Sequence, residues 1–257
     1  MSHLVLDEQQ HLFYERLAGD ADRPWLVFLH EGLGSVAQWG DFPGELCRRT
    51  RCPGLVYDRI GHGRSSALTR PRSSHYLHEC ALDELPKVLA ALIPGQRFLL
   101  IGHSDGGSIS LIFGAEKPAN LLGIITAAAH VMVEQVTVDG VERALAAWEQ
   151  GKIKKGLARY HGEKSEALFQ SWGRTWTSSW FRSWSIEELL PSIEAPLLVL
   201  QGRDDHYGTP AQVEIIVNRS GGPATPLLLE ECGHAPHLDF PALTLDLMAC
   251  FVNRIAR

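Results

Sequence analysis

The chain has little of what ties a protein to a membrane, a nucleic acid, a metal or an oxidising compartment. Its 257 residues include five cysteines. Cys47, Cys52, Cys80, Cys232 and Cys250 are odd in number, scattered and without a C-x-x-C pair, which argues against a disulfide framework and suits a reducing compartment. No stretch approaches the roughly 18 apolar residues of a membrane span, so no membrane partner is expected. The opening residues, from Met1 to Glu8, lack the basic start and apolar block of a secretion signal, and the expected location is cytoplasmic. Positive charge is not in excess: 24 Lys and Arg against 30 Asp and Glu give a formal net charge of −6, which argues against nucleic acid as a partner. His75 with His78, and Cys232 with His234 and His237, have no second cluster at zinc-type spacing beside them, so no metal and no cofactor are expected. Internal repeats and low-complexity tracts are absent.

What is present reads as one substantial core. Hydrophobic residues make up 45% of the chain and charged residues 21%. Short alternating runs at Leu4–Leu6 and His11–Arg16 predict an antiparallel edge hairpin, and apolar runs at Trp25–Leu29, Leu55–Asp58, Arg97–Ile101, Leu121–Thr126, Ala195–Leu200 and Pro226–Leu229 predict buried strands. Between them lie helical patterns. One covers Tyr76 to Leu92, where Pro86 should kink the helix or mark its true start, and another covers Gly106 to Glu116, ending before Pro118. This alternation predicts a doubly wound α/β domain.

The most informative stretch is Gly102-His103-Ser104-Asp105-Gly106, directly after an apolar strand. Glycines two residues either side of a serine permit a strained, tight turn that lifts the hydroxyl clear of a sheet. A serine hydroxyl is a poor nucleophile at neutral pH. It needs an imidazole to take its proton and a carboxylate to orient that imidazole. Downstream, a buried strand leads into Gln201-Gly202-Arg203-Asp204-Asp205, and the next apolar run leads into Glu230-Glu231-Cys232-Gly233-His234, so acid and base follow the serine in that order.

With these motifs the chain resembles the α/β-hydrolase family over nearly its whole length. The resemblance implies a mostly parallel eight-stranded sheet, a core of residues 1–128 and 192–257, and an inserted helical cap at 129–191. The family's G-x-x-D loop looks like Gly202–Asp205, favouring Asp205 over Asp204 as the acid. Its G-H-x-x-x loop looks like Gly233–His237, which makes His234 the base. The family's H-G-x turn is similar to His30-Glu31-Gly32-Leu33-Gly34, with Trp39 where relatives often carry tryptophan. Glu31 departs from that pattern by replacing a glycine. It is expected to face solvent or bond to His30, leaving the backbone N–H groups of Gly32 and Asp105 as oxyanion donors.

The segment 129–191 reads as helical, and Trp172, Trp176, Trp180 and Trp184 recur in it every four residues. On one helix they would form a slowly winding stripe that packs the cap down, or of which one or two rings line an apolar pocket over Ser104. Trp176 and Trp180, with His30 and His103, are the candidate substrate contacts, although His103 should point to the opposite side of the turn from Ser104. Lys152, Lys154, Lys155, Arg159 and Lys164 read as a solvated helix face. The Asp105 carboxylate either bonds to backbone at the start of the following helix or pairs with a substrate ammonium.

The function these features imply is a serine hydrolase acting through Ser104, His234 and Asp205 and an acyl-enzyme. It would cleave a carboxylic ester, or a related acyl bond, of a small molecule with an apolar or aromatic portion. Carbon–carbon bond hydrolysis of a ring-cleavage diketone uses the same three groups and ranks second, because Ala235-Pro236 rather than an aromatic residue follows His234. A ligand-binding homologue that turns over slowly or not at all ranks below both. Serine at the elbow, rather than aspartate, counts against haloalkane dehalogenase and epoxide hydrolase chemistry. The assembly is expected to be a monomer or homodimer.

Overall fold

In the computed structural model, which describes residues 2–256, eight strands form one sheet. β1 (Ser2–Val5) and β2 (His11–Leu17) make the expected antiparallel hairpin, and β2 continues antiparallel onto β4. β3 (Trp25–Leu29), β4 (Gly54–Tyr57), β5 (Phe98–His103), β6 (Leu121–Ala127), β7 (Leu197–Gly202) and β8 (Ala224–Leu229) are parallel, in the order β1-β2-β4-β3-β5-β6-β7-β8. The inner strands are mostly apolar because helices cover both faces. Alternate residues serve the two layers: Val27, Leu29 and Leu100 join one buried cluster, and Leu26, Phe28, Leu99 and Ile101 the other.

α1 (Phe42–Thr50) packs on the second face. On the first, α2 (Tyr76–Glu79) runs through a π-helical turn at Cys80–Glu84 into α3 (Leu85–Leu92). Pro86 thus sits in the first turn of α3, where its missing N–H has no intrahelical partner to lose, and the widened turn before it lets the axis continue. α4 (Asp105–Ala115) follows β5 directly.

Between β6 and β7 the chain forms α5 (Gln135–Glu149), α6 (Lys154–His161) and α7 (Ser165–Thr177), then a 3-10 turn at Glu187–Ser192. α7 ends at Thr177, with Ser178 extended at ψ 147. The single helical stripe of four tryptophans is therefore corrected: Trp172 and Trp176 share α7, whereas Trp180 and Trp184 lie in the turns after it. A four-residue spacing records only a helical period and cannot show where the helix stops. Lys164 also departs from expectation. Lys152, Lys154, Lys155 and Arg159 are exposed, but half-buried Lys164 donates from Nζ to the carbonyls of His62, at 3.2 Å, and Ser65, pinning this segment to the loop after β4. His161 adds a second clamp, donating to the Leu33 carbonyl at 2.9 Å and accepting from the Gly63 N–H at 2.9 Å. α8 (Pro210–Arg219), α9 (Pro236–Asp239) and α10 (Pro241–Ile255) complete the fold. No described helix is long and apolar enough to cross a membrane.

Candidate functional site

Ser104 occupies the turn between β5 and α4 at φ 53 and ψ −116, a left-handed strain that only a tightly determined surrounding holds in a residue with a side chain. The two flanking glycines are required by contact. A Cβ on Gly102 would lie 2.2 Å from the Gly106 carbonyl oxygen, and one on Gly106 would lie 2.0 Å from the Leu29 carbonyl oxygen. The turn therefore nests against β3, and Ser104 stands at the C-terminal edge of the sheet.

His234, on the loop between β8 and α9, brings Nε2 to 2.9 Å from Ser104 Oγ. Its Nδ1 lies 2.9 and 2.8 Å from the two carboxylate oxygens of Asp205, on the loop after β7. The consistent proton arrangement has Nδ1–H donating to Asp205 and the Ser104 hydroxyl donating to Nε2. Asp205 also accepts the Tyr207 N–H at 2.8 Å. Burial pushes its carboxyl up, but His234 and that N–H outweigh it, and Asp205 is held below its ordinary value. Asp204 faces solvent and makes no side-chain contact with His234. Serine, imidazole and one carboxylate, far apart in the chain, are thus in hydrogen-bonding sequence.

These groups open into a cleft of about 500 Å³ between the sheet edge and the β6–β7 insertion. Val141, Tyr160, Trp172 and Trp176 from the insertion, and Trp39 and Tyr207 around them, give it a largely apolar wall. Trp180 is not part of it. That residue is 49% exposed and borders a separate surface groove with Arg70 and Arg174, because α7 has ended before it. The substrate contact expected of Trp180 is corrected accordingly.

His30 and His103 do line the cleft, but their nitrogens are largely engaged by protein. His30 Nδ1–H donates to the Glu31 carbonyl at 2.8 Å, and its Nε2 accepts the Arg59 N–H at 3.1 Å. His103 Nε2–H donates to the His234 carbonyl at 2.8 Å, steadying the loop that carries that imidazole. Burial holds both rings well below the ordinary histidine value.

Asp105 is 1% exposed and its Oδ2 is already engaged. The Tyr76 hydroxyl donates to Oδ2 at 3.1 Å, and Arg59, also 1% exposed, approaches it at 3.6 Å. A buried carboxylate so paired is in effect neutralised toward the cleft. Arg59 Nη2 meanwhile donates to the carbonyls of His30 and Glu31 at 3.2 and 2.8 Å, tying the turn after β3 to the start of α4. These are the two segments expected to supply the oxyanion donors. The N–H groups of Gly32 and Asp105 have no acceptor among the described residues. Gly32 itself is buried under Trp172: a Cβ there would lie 2.8 Å from the indole.

Glu31 departs from both expected placements. It lines the cleft, and its Oε2 accepts the Leu33 N–H at 2.7 Å rather than a bond from the His30 ring. Burial raises its carboxyl above the ordinary value, against the Leu33 N–H and the charge of His234. Tyr207, Tyr160 and Arg59 were also not singled out from sequence. Tyr207 was the most accessible of these, standing two residues after Asp205 in the same loop.

A family model described as the alpha/beta hydrolase family matches residues 26–247. The chain belongs to that family. A 2-succinyl-6-hydroxy-2,4-cyclohexadiene-1-carboxylate synthase of Enterobacter sp. (strain 638) is 28% identical over 159 residues, which are 60% of this chain and 54% of that protein, so the match spans about half of the relative's length. The synthase of the same name from Serratia proteamaculans (strain 568) is 25% identical over 91% of this chain and 96% of its own. Among solved structures, a membrane phospholipase A superposes with a TM-score of 0.80 at 23% identity, covering 99% of this chain and 86% of that one, a likeness of fold.

Proposed function

We propose that this α/β hydrolase is a serine esterase cleaving a small-molecule carboxylic ester through an acyl-enzyme. The observation that carries the reading is the hydrogen-bonded series Ser104–His234–Asp205 at a strained turn opening into an apolar cleft. In this mechanism Ser104 Oγ attacks the ester carbonyl carbon as its proton passes to His234 Nε2, and Asp205 stabilises the imidazolium that forms. The Gly32 and Asp105 N–H groups receive the oxyanion. The tetrahedral adduct collapses as His234 returns the proton to the departing alcohol. Water then enters, gives a proton to the same imidazole and releases the acid. The apolar or aromatic part of the substrate rests against Trp172 and Trp176.

The named relatives raise a different reaction, since 2-succinyl-6-hydroxy-2,4-cyclohexadiene-1-carboxylate is by its name a polyanion. Binding such a molecule favours arginine or lysine in the cleft. Among the described residues the cleft lining contains neither and includes Glu31, which supports an uncharged or cationic ester instead.

The test is reaction with a fluorophosphonate probe together with hydrolysis of p-nitrophenyl esters. Stoichiometric labelling at Ser104, with turnover that falls by several orders of magnitude in Ser104→Ala, is expected. Protein inert to the probe, or Ser104→Ala retaining comparable turnover, overturns the reading.

A further inference from the structure

Resting on that reading, we propose that the cleft selects an ester bearing a tertiary or quaternary ammonium group, with the Glu31 carboxylate and the rings of Trp172 and Tyr207 forming its cation subsite.

Three observations converge on it. The first is an acid with an unused oxygen. Glu31 commits Oε2 to the Leu33 N–H, but Oε1 has no hydrogen-bond partner among the described residues, and no lysine or arginine nitrogen lies within ion-pair distance of the carboxylate. The other cleft carboxylate outside the relay, Asp105, differs in having its charge paired by buried Arg59 and its Oδ2 bonded to the Tyr76 hydroxyl. A substrate amine therefore meets Glu31 and not Asp105, the residue to which sequence position alone pointed.

The second is the aromatic surround. Trp172 covers the Gly32 backbone next to Glu31, its ring centroid lies 6.4 Å from that of Tyr207, and Tyr207 lies 4.8 Å from the His234 ring. Glu31 and Tyr207 line the same cleft, where burial pushes the Tyr207 phenol up to about 12 and the Glu31 charge adds to it. Electron-rich ring faces flanking a carboxylate attract a desolvated ammonium, and they accept a methylated one that cannot donate hydrogen bonds.

The third is the lack of opposing charge. The cleft's other imidazoles, His30, His103, His130 and His237, are all held below the ordinary histidine value, first by burial. Arg59, whose charge does act on Glu31, is itself paired with Asp105. A bound cation in turn favours the ionised form of that carboxyl, which burial alone opposes.

The deciding experiment uses pairs of esters alike in shape and unlike in charge. One pair is the p-nitrophenyl esters of 4-(trimethylammonio)butyrate and 5,5-dimethylhexanoate, which puts the cation in the acyl part. The other is the acetates of choline and 3,3-dimethylbutanol, which puts it in the leaving group. In at least one pair the wild-type protein is expected to prefer the cation by about tenfold or more in kcat/KM, a ratio that drops to near one in Glu31→Gln and survives in Glu31→Asp. Taking the ratio within each variant cancels any general disturbance of the turn. Calorimetric titration of Ser104→Ala protein with the same pairs reads the preference without turnover. No preference in either pair, or a preference that Glu31→Gln leaves intact, overturns the subsite. Hydrolysis of the neutral esters that depends on Ser104 leaves the esterase reading standing in that event.

Discussion

Trp176 Nε1 donates to the Tyr76 hydroxyl at 3.0 Å, and through that hydroxyl a tryptophan of the β6–β7 insertion is connected to Asp105, the residue next to Ser104. The hydroxyl serves two buried partners at once. Tyr76→Phe keeps the ring and removes both bonds, leaving an indole N–H and a carboxylate oxygen short of a partner away from water. We expect a loss of about 2 kcal/mol, from a typical unsatisfied-group cost of ~1–3 kcal/mol, together with a lower kcat/KM for esters as Trp176 loses its anchor in the cleft. Denaturant unfolding and p-nitrophenyl ester kinetics on the same preparation check it. Unchanged stability would mean that water replaces the hydroxyl at no cost.

Asp204 and Asp205 are adjacent in sequence and opposite in environment, one in solvent and one against His234. If Asp205 holds the imidazole tautomer, Asp205→Asn presents an N–H or a neutral oxygen where a carboxylate accepted, and kcat should fall by roughly 10³–10⁴, the scale of the corresponding change in a serine-protease triad. Asp204→Asn should change it by less than about threefold, as expected of a solvated surface group. The reverse order, measured on one ester, would reassign the acid.

How much of this was legible beforehand follows from the range of each interaction. The strand at Trp25–Leu29 and the β5–α4 turn are written in local pattern, an apolar run or a glycine spacing, and emerge with little change in the structure. Ser104, His234 and Asp205 could be named from the sequence because a serine nucleophile needs a base and an acid, and the family the chain resembles carries them in the order serine, acid, base. Glu31 was misplaced because its orientation is set by Leu33 N–H and by Arg59 holding its carbonyl, contacts that no spacing encodes. Trp180 was misplaced for a related reason. The i, i+4 repeat continues past Thr177 in the sequence while the helix itself stops. The pairing of Arg59 with Asp105 joins the loop after β4 to the first residue of α4 and has no local signature at all.

That pair makes its own prediction. Both side chains are 1% exposed, and the guanidinium also holds the His30 and Glu31 carbonyls. Arg59→Met leaves the Asp105 charge buried with only the Tyr76 hydroxyl, and breaking a buried pair from one side costs about 3–5 kcal/mol. Replacing both, as Arg59→Met with Asp105→Asn, removes the stranded charge and should recover part of that loss. The measurement is a double-mutant cycle in urea, and strictly additive effects would show that the two do not act as a pair.

Glu84 gives stability a pH dependence whose sign can be worked out. Its Oε2 accepts the Ile60 N–H at 3.0 Å and its Oε1 is buried without a partner. Burial pushes the carboxyl from its ordinary 4.5 up to about 7, against the Ile60 N–H and the charges of Arg59 and Lys87. Between those two values the folded chain holds a proton that the unfolded chain has released. The contribution of Glu84 is therefore fully present below 4.5 and is lost as pH rises through 7, by about 3 kcal/mol at ~1.4 kcal/mol per pH unit. Glu84→Gln cannot ionise and escapes that loss. Relative to wild type, the variant should gain stability steadily from pH 4.5 to pH 7.5, read as a rising difference in urea midpoints. Parallel curves across that interval would show that Glu84 titrates alike in both states, and that Arg59 and Lys87 fully offset its burial.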